Sequence, residues 1–179
     1  MKVSVVIPSY NHEKFISEAI QSVLDQTFQD FEIIITDDGS SDKTVEKIKK
    51  FNDPRIKLFQ LDYNQGFYFA FKKCLEESCG DYIAMLSSDD IFLPDKLEKQ
   101  VKILDENDKY AAVFGFAQII DETGNNRDDK EHFYSTVFMQ ENRTRHQWLK
   151  KFFYEGNFLC HPSILIRKEF YTIDQFDPR

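Results

Sequence analysis

The sequence predicts an α/β fold, a Rossmann-type α/β/α sandwich with a mostly parallel central sheet. Three observations predict it. Short β-branched runs alternate with amphipathic helical patterns, which is the signature of βαβ units. Apolar residues arrive in short runs separated by charges, as in a soluble core. At 179 residues the chain can bury such a core in one domain and is too short for two full-sized catalytic domains.

In chain order, strands are expected near 3–8, 31–36, 56–61 and 81–86. Between the first two, Phe15, Ile16, Ala19, Ile20, Val23 and Leu24 share one face at helical spacing. With Asn11 and Glu13 as a start, they predict a helix over about 13–26. After the second strand, Asp42 can cap a helix carrying Val45, Ile48 and Phe51. After the third, Gly66 opens one with Phe67, Ala70, Phe71, Cys74 and Leu75. Pro94 begins a further helix whose apolar side is Leu97, Val101 and Leu104. Residues 111–121 read as another strand, and 122–147 as a polar, turn-rich surface segment. A short helix around 145–155, a break at Gly156 and Asn157, and the apolar run 163–166 follow.

Several function classes are excluded at this level. No stretch approaches the ~20 apolar residues of a membrane span. The N-terminus passes from Lys2 directly into the first strand and is no secretory leader, so a cytoplasmic location is expected. Cys74, Cys79 and Cys160 contain no Cys-x-x-Cys pair, which argues for reduced core residues and against a disulfide framework or zinc site. A net charge of −8 disfavours nucleic acid as the main partner. Neither Gly-x-Gly-x-x-Gly nor a P-loop is present. His12, His132, His146 and His161 show no paired metal spacing, and no Gly-x-Ser-x-Gly elbow accompanies them.

In a parallel sheet the loops after successive strands converge on one edge, beyond which ligands bind. Three such loops are polar: Pro8-Ser9-Tyr10-Asn11-His12, Asp37-Asp38-Gly39-Ser40-Ser41-Asp42 and Ser87-Ser88-Asp89-Asp90. Two acidic pairs distant in sequence therefore meet at one mouth, where their repulsion calls for a positive or hydrogen-bond-donating occupant. A hard divalent cation with phosphate and water in its shell is the simplest, anchored by Asp89 and Asp90. Tyr10 could stack on a planar base, and Asp38 could accept hydrogen bonds from the base or ribose.

The blocks Val3-Ser4-Val5-Val6-Ile7-Pro8-Ser9-Tyr10-Asn11, Ser22-Val23-Leu24-Asp25-Gln26-Thr27-Phe28 and Phe31-Glu32-Ile33-Ile34-Ile35-Thr36-Asp37-Asp38-Gly39-Ser40-Ser41-Asp42 closely resemble the opening of glycosyltransferase family 2. The likeness continues through Asn64-Gln65-Gly66, Gly80-Asp81-Tyr82-Ile83, Ser87-Ser88-Asp89-Asp90 and Pro94-Asp95-Lys96-Leu97, and recurs at Cys160-His161-Pro162-Ser163-Ile164-Leu165-Ile166-Arg167. It implies a GT-A-like fold and inverting transfer from a nucleoside diphosphate sugar, a UDP-sugar by family habit, to a glycan or lipid-linked acceptor. Mn2+ or Mg2+ is the implied cofactor. By motif position, Tyr10 matches the base-stacking residue and Asp38 the base-contacting acid. Asp89 matches an acid near the ribose or diphosphate, and Asp90 the metal-binding acid. Pro8, Asn11 and Gly39 complete the implied nucleotide-sugar-binding set, with Pro8 and Gly39 shaping the pocket, and His161 would face the acceptor. The resemblance divides the single domain 1–179 into a nucleotide-sugar-binding half, 1–105, and the start of an acceptor-binding half, 106–179. It also implies cell-envelope glycan assembly with peripheral contact at the inner face of a membrane.

Two departures stand out. Many family members have Asp where this chain has Ser87, which lightens the acidic cluster. The family's catalytic base lies in a segment after the one resembling residues 160–167, so the base is expected beyond Arg179. Glu169, Asp174 and Asp177 sit in no base motif. Simpler readings stand beside these assignments: Asn11 and Asp42 as helix caps, Asp37-Asp38-Gly39 as a solvated turn, Asp89 and Asp90 as acids favoured before a helix N-terminus, Phe67, Phe69 and Phe71 as core or interface, and His161 as structural. Two other functions also compete. A non-catalytic nucleotide-sugar-binding module would bind without transfer. A nucleotidyltransferase would require a nucleoside triphosphate, for which the chain lacks the lysine- and glycine-rich loop.

Overall fold

The computed structural model describes residues 1–127 and 137–171. Four parallel strands, β1 (Val3–Ser9), β2 (Phe31–Asp37), β3 (Ile56–Gln60) and β4 (Tyr82–Met85), lie in the spatial order β3-β2-β1-β4. Two short strands, β5 (Ala112–Val113) and β6 (Leu165–Arg167), extend the sheet past β4, with β6 antiparallel to both neighbours. The expected mostly parallel sheet is thus present. Its antiparallel strand β6 takes in the last two residues of the 163–166 run together with Arg167.

β1 and β2 are buried along their whole length, because helices cover both faces of the sheet. Successive strand side chains point to opposite faces, and two core clusters result. On one face Val3, Val5, Ile7, Ile33, Ile35, Ala84 and Leu86 pack against α1 (Ile16–Leu24), α2 (Thr44–Ile48) and α4 (Lys96–Asp105). On the other, Val6, Ile34, Ile83 and Met85 meet Phe71, Cys74 and Leu75 of α3 (Phe67–Glu77). Cys74 is a core residue as expected, its thiol pushed up to about 11 by burial. Cys79 is instead exposed and Cys160 half-buried.

One buried polar cluster ties the end of the sheet opposite the strand C-termini. Glu32 accepts hydrogen bonds from the Ser4 hydroxyl (2.6 Å), the Cys79 N–H (2.6 Å) and the Lys57 ammonium (2.8 Å). The Ser4 oxygen in turn accepts from the Gly80 N–H. These bonds close the connection from α3 into β4.

Two elements differ from expectation. α1 begins at Ile16, because residues 11–13 spend their polar groups on another loop and no side chain caps the helix. The expected strand over 111–121 is only Ala112–Val113, since its partner β6 pairs with it at just two positions.

By compactness the chain divides into two units, Met1–Val113 with Ile164–Arg179, and Phe114–Ser163. In the second, α5 (Arg145–Glu155) fulfils the expected short helix. Thr144 and Gln147 form its capping box. None of its residues is buried. At the start of the turn-rich segment, Asp121 accepts from the N–H groups of Thr123 and Asn125. His132, Asp174 and Asp177 lie outside the described residues. Among the described residues no helix is long and apolar enough to cross a membrane.

Candidate nucleotide-binding crevice

The loops after β1 and β2 are laced together. The Asn11 N–H donates to Ser40 Oγ and the Ser41 N–H to Asn11 Oδ1, each at 2.9 Å. The Glu13 N–H donates to Asp42 Oδ2 and the Lys43 N–H to Glu13 Oε2. Between these pairs, the His12 N–H donates to Thr44 Oγ1. The lacing explains why Asn11 sits at φ 52°, a left-handed geometry that asparagine tolerates better than most residues. Asp42 also accepts from the Thr44 N–H, but it lies one residue before the N-cap of α2, which is Lys43, so the expected cap is replaced by a turn across residues 42–44. Burial pulls the Asp42 carboxyl up, but bonds from Thr44 and the Glu13 N–H outweigh that and hold it low.

The Asp37-Asp38-Gly39 turn is built inward. Asp37 accepts from the Ser40 N–H and hydroxyl, which fixes the turn. Asp38, only 3% exposed, accepts from the Gln65 and Gly66 N–H groups, one on each carboxylate oxygen at 2.8 Å. Gly39 sits at φ 70°, and a Cβ there would lie 2.6 Å from the Tyr63 carbonyl carbon. Only glycine lets the two turns approach so closely.

After β4, Asp89 and Asp90 are solvent-accessible on a loop whose neighbours are held. His12 Nδ1 meets Ser88 Oγ at 2.6 Å, which joins this loop to the one after β1. Downstream, the Phe92 N–H donates to Ser22 Oγ, Gln26 donates to the Leu93 carbonyl and accepts from the Leu97 N–H, and the Thr27 N–H donates to the Pro94 carbonyl.

These loops enclose a crevice of about 390 Å³ beyond the carboxyl ends of the parallel strands. Pro8, Tyr10, Asp38 and Asp89, all singled out from sequence, line it. Tyr10 is 41% exposed, so its ring is open to a ligand. Asn11 lies in the lacing beside the crevice and Gly39 under the turn behind Asp38. Asp90 follows Asp89 on the same loop, outside the lining. His161 opens a 3-10 turn (His161–Ser163) in the other unit, its imidazole held below its ordinary range by loss of hydration.

Sequence reasoning gave no site role to Ser9, His12, Asn64, Phe67 or Ala70, which also line the crevice. Phe67, expected in the core or at an interface, is 53% exposed and stacks on buried Phe71 with ring centroids 5.5 Å apart. A signal was available for Asn64, which belongs to a resembling block. Ser9 carried the same signal, in the first resembling block and in the polar loop after β1; among the described residues its buried hydroxyl has no partner.

The donor chemistry suits a hard divalent cation. Partial burial, then the neighbouring Asp89 charge, raises the Asp90 carboxyl, against a Ser87 hydrogen bond and His12. A cation beside the pair would relieve that repulsion. Among the described residues no three acidic, histidine or cysteine side chains gather into a cage. Water and ligand phosphate would have to complete the shell, as magnesium and manganese commonly allow.

Comparison with known proteins accords with this geometry. A glucosyltransferase of Escherichia coli, UDP-Glc:alpha-D-GlcNAc-diphosphoundecaprenol beta-1,3-glucosyltransferase WfgD, is 42% identical over 118 residues, covering 66% of this chain and 46% of the relative. The chain spans about half the length of the curated relatives it matches. Staphylococcus aureus TarS 1-349, solved in complex with UDP-GlcNAc, superposes with a TM-score of 0.68 at 22% identity, over 94% of this chain and 47% of that one. The Pyrobaculum calidifontis mannosyltransferase PcManGT, solved with GDP-Man and Mn2+, gives 0.60 at 22% identity, over 66% and 36%. These likenesses establish the GT-A-like fold. Residues 4–171 match the profile of glycosyl transferase family 2, and the chain belongs to that family.

Proposed function

We propose that this chain binds the donor in a metal-dependent, inverting glycosyltransferase that moves a sugar from a UDP-sugar to a glycan or lipid-linked acceptor. The observation that carries the reading is the crevice lining. Among the described residues it offers the Tyr10 and Phe67 rings, the Asp38 and Asp89 carboxylates, and no lysine or arginine. An aromatic wall suits a base. A diphosphate among carboxylates without basic side chains needs a cation between them.

In this reading Tyr10 stacks on the base while Pro8 and Gly39 shape its pocket, with Asn11 fixing the loop alongside. Asp38, rigidly held by Gln65 and Gly66, contacts the base through its remaining acceptor capacity. Asp89 lies toward the ribose and diphosphate, and Asp90 holds Mn2+ or Mg2+. The cation, when bound, screens the diphosphate and stabilises the charge it gains on leaving. The acceptor oxygen attacks the anomeric carbon, the bond to the diphosphate oxygen breaks, and the acceptor proton passes to a general base. His161 stands on the acceptor side. Domain roles follow the same division: 1–105 for the donor and 106–179 toward the acceptor.

The UDP-GlcNAc complex of TarS supports a UDP-sugar, and the PcManGT complex with Mn2+ supports the cation. The name of the Escherichia coli relative supports a lipid-linked acceptor. Such an acceptor would bring the chain to the inner face of a membrane from the cytoplasm.

The test is to incubate the chain, joined to the catalytic-base segment expected beyond Arg179, with UDP-glucose or UDP-GlcNAc, Mn2+ and a GlcNAc-diphospholipid acceptor, following UDP release and product configuration. Mn2+-dependent release with inversion is expected. Binding of the UDP-sugar without release would identify a non-catalytic module instead.

A further inference from the structure

Asp89 and Asp90 lie on an exposed loop, yet the proposed chemistry requires both carboxylates in fixed positions. Their upstream side is held by β4 and by the contact between His12 and Ser88. What holds the downstream side is the last turn of α1 and the residues after it.

Gln26 is the centre of that attachment. It is 2% exposed, although nothing about a glutamine favours burial. Its amide makes three hydrogen bonds: Nε2 donates to the Leu93 carbonyl at 2.7 Å and to the Ser22 carbonyl at 3.1 Å, while Oε1 accepts from the Leu97 N–H at 3.0 Å. One side chain thus ties the middle of the link between the acidic pair and α4 to the first turn of that helix. Around it, the Ser22 hydroxyl accepts from the Phe92 N–H at 3.0 Å, and the Thr27 N–H donates to the Pro94 carbonyl at 2.9 Å. Phe92 itself is buried in the core cluster. The Ser22-to-Phe28 block is far from the acids in sequence, and three of its polar residues are spent on the segment that follows them.

We propose that Gln26 is a positioning residue that fixes the Asp89 and Asp90 loop for the cation and diphosphate. Its effect is transmitted through the backbone of residues 91–97, and it touches no ligand. The inference rests on the nucleotide-sugar reading above.

The experiment compares the chain with Gln26→Met, which keeps the bulk and removes the clamp, and with the milder Ser22→Ala, which removes only the Phe92 anchor. Hydrogen exchange without nucleotide is read first. Amides of residues 88–93 should exchange faster in both variants, with β1 and β2 unchanged. UDP titration with Mn2+ is read second. Gln26→Met should weaken it about tenfold, because carboxylates no longer held in place meet the cation and diphosphate less well. Binding of uridine, which carries no phosphate, should stay within about twofold because the base pocket is intact. Unchanged exchange at 88–93 in both variants would overturn the proposal, as would equal losses of uridine and UDP binding. If the unmodified chain binds no UDP, the nucleotide reading fails, and the exchange data still decide whether Gln26 holds the loop.

Discussion

At the scale of single residues, Gly39 and Asp38 make the sharpest demands. Gly39→Ala would place a Cβ 2.6 Å from the Tyr63 backbone at a φ of 70°, so neither turn could keep its place. The expected cost is about 2–4 kcal/mol by urea unfolding. Asp38→Asn would turn an amide NH2 toward one of two backbone N–H donors. It should cost about 1–3 kcal/mol in the same measurement and loosen the 64–66 turn. Tyr10, Asp38 and Asp89 were legible in the sequence because each sits at the end of a recognisable strand. Phe67 was not, since an aromatic on the apolar face of a predicted helix reads as core until the fold shows a crevice at the helix start. Asn11 was read as a cap or a ligand contact, and its side chain is spent on Ser41 across the crevice wall. A partner 30 residues away leaves no local pattern to read.

At the scale of elements, the Glu32 cluster joins β1, β2, β3 and the turn into β4. Burial alone would raise the Glu32 carboxyl, but bonds from Lys57, Ser4 and the Cys79 N–H prevail and hold it below its ordinary value. A depressed folded pKa means stability that is complete above the unfolded carboxylate's pKa, about 4.3, and is lost as pH falls through the folded value. Glu32→Gln should therefore destabilise the chain near neutral pH. The difference should shrink below about pH 4, as read by urea unfolding across pH. A smaller effect belongs to α5, where Thr144→Ala removes the capping box and should cost about 1 kcal/mol of local helix stability, read by amide exchange. β1, β2 and β4 are buried along their length and were legible as short apolar runs, while the half-buried edge strand β3 mixes apolar and polar residues between turn signals. The strand over 111–121 was misread because its length depends on β6, a partner more than 50 residues away. The start of α1 was misread for the same kind of reason. The residues that look like a cap are used by the loop after β2.

At the scale of the whole molecule, the strand order β3-β2-β1-β4 brings the ends of four strands to one edge, and an acidic chain thereby gains a crevice with aromatic walls and two carboxylates. Function in this account is a consequence of that convergence. No single loop could supply base stacking, a fixed acceptor and a cation anchor together. The measurement that tests this most directly is calorimetric titration with UDP, with and without Mn2+, on the chain and on Asp90→Ala and Tyr10→Ala. The account predicts Mn2+-dependent binding that loses its Mn2+ dependence in Asp90→Ala and weakens about tenfold in Tyr10→Ala, the scale of a lost stacking contact. UDP binding that ignores Mn2+ and both substitutions would contradict it.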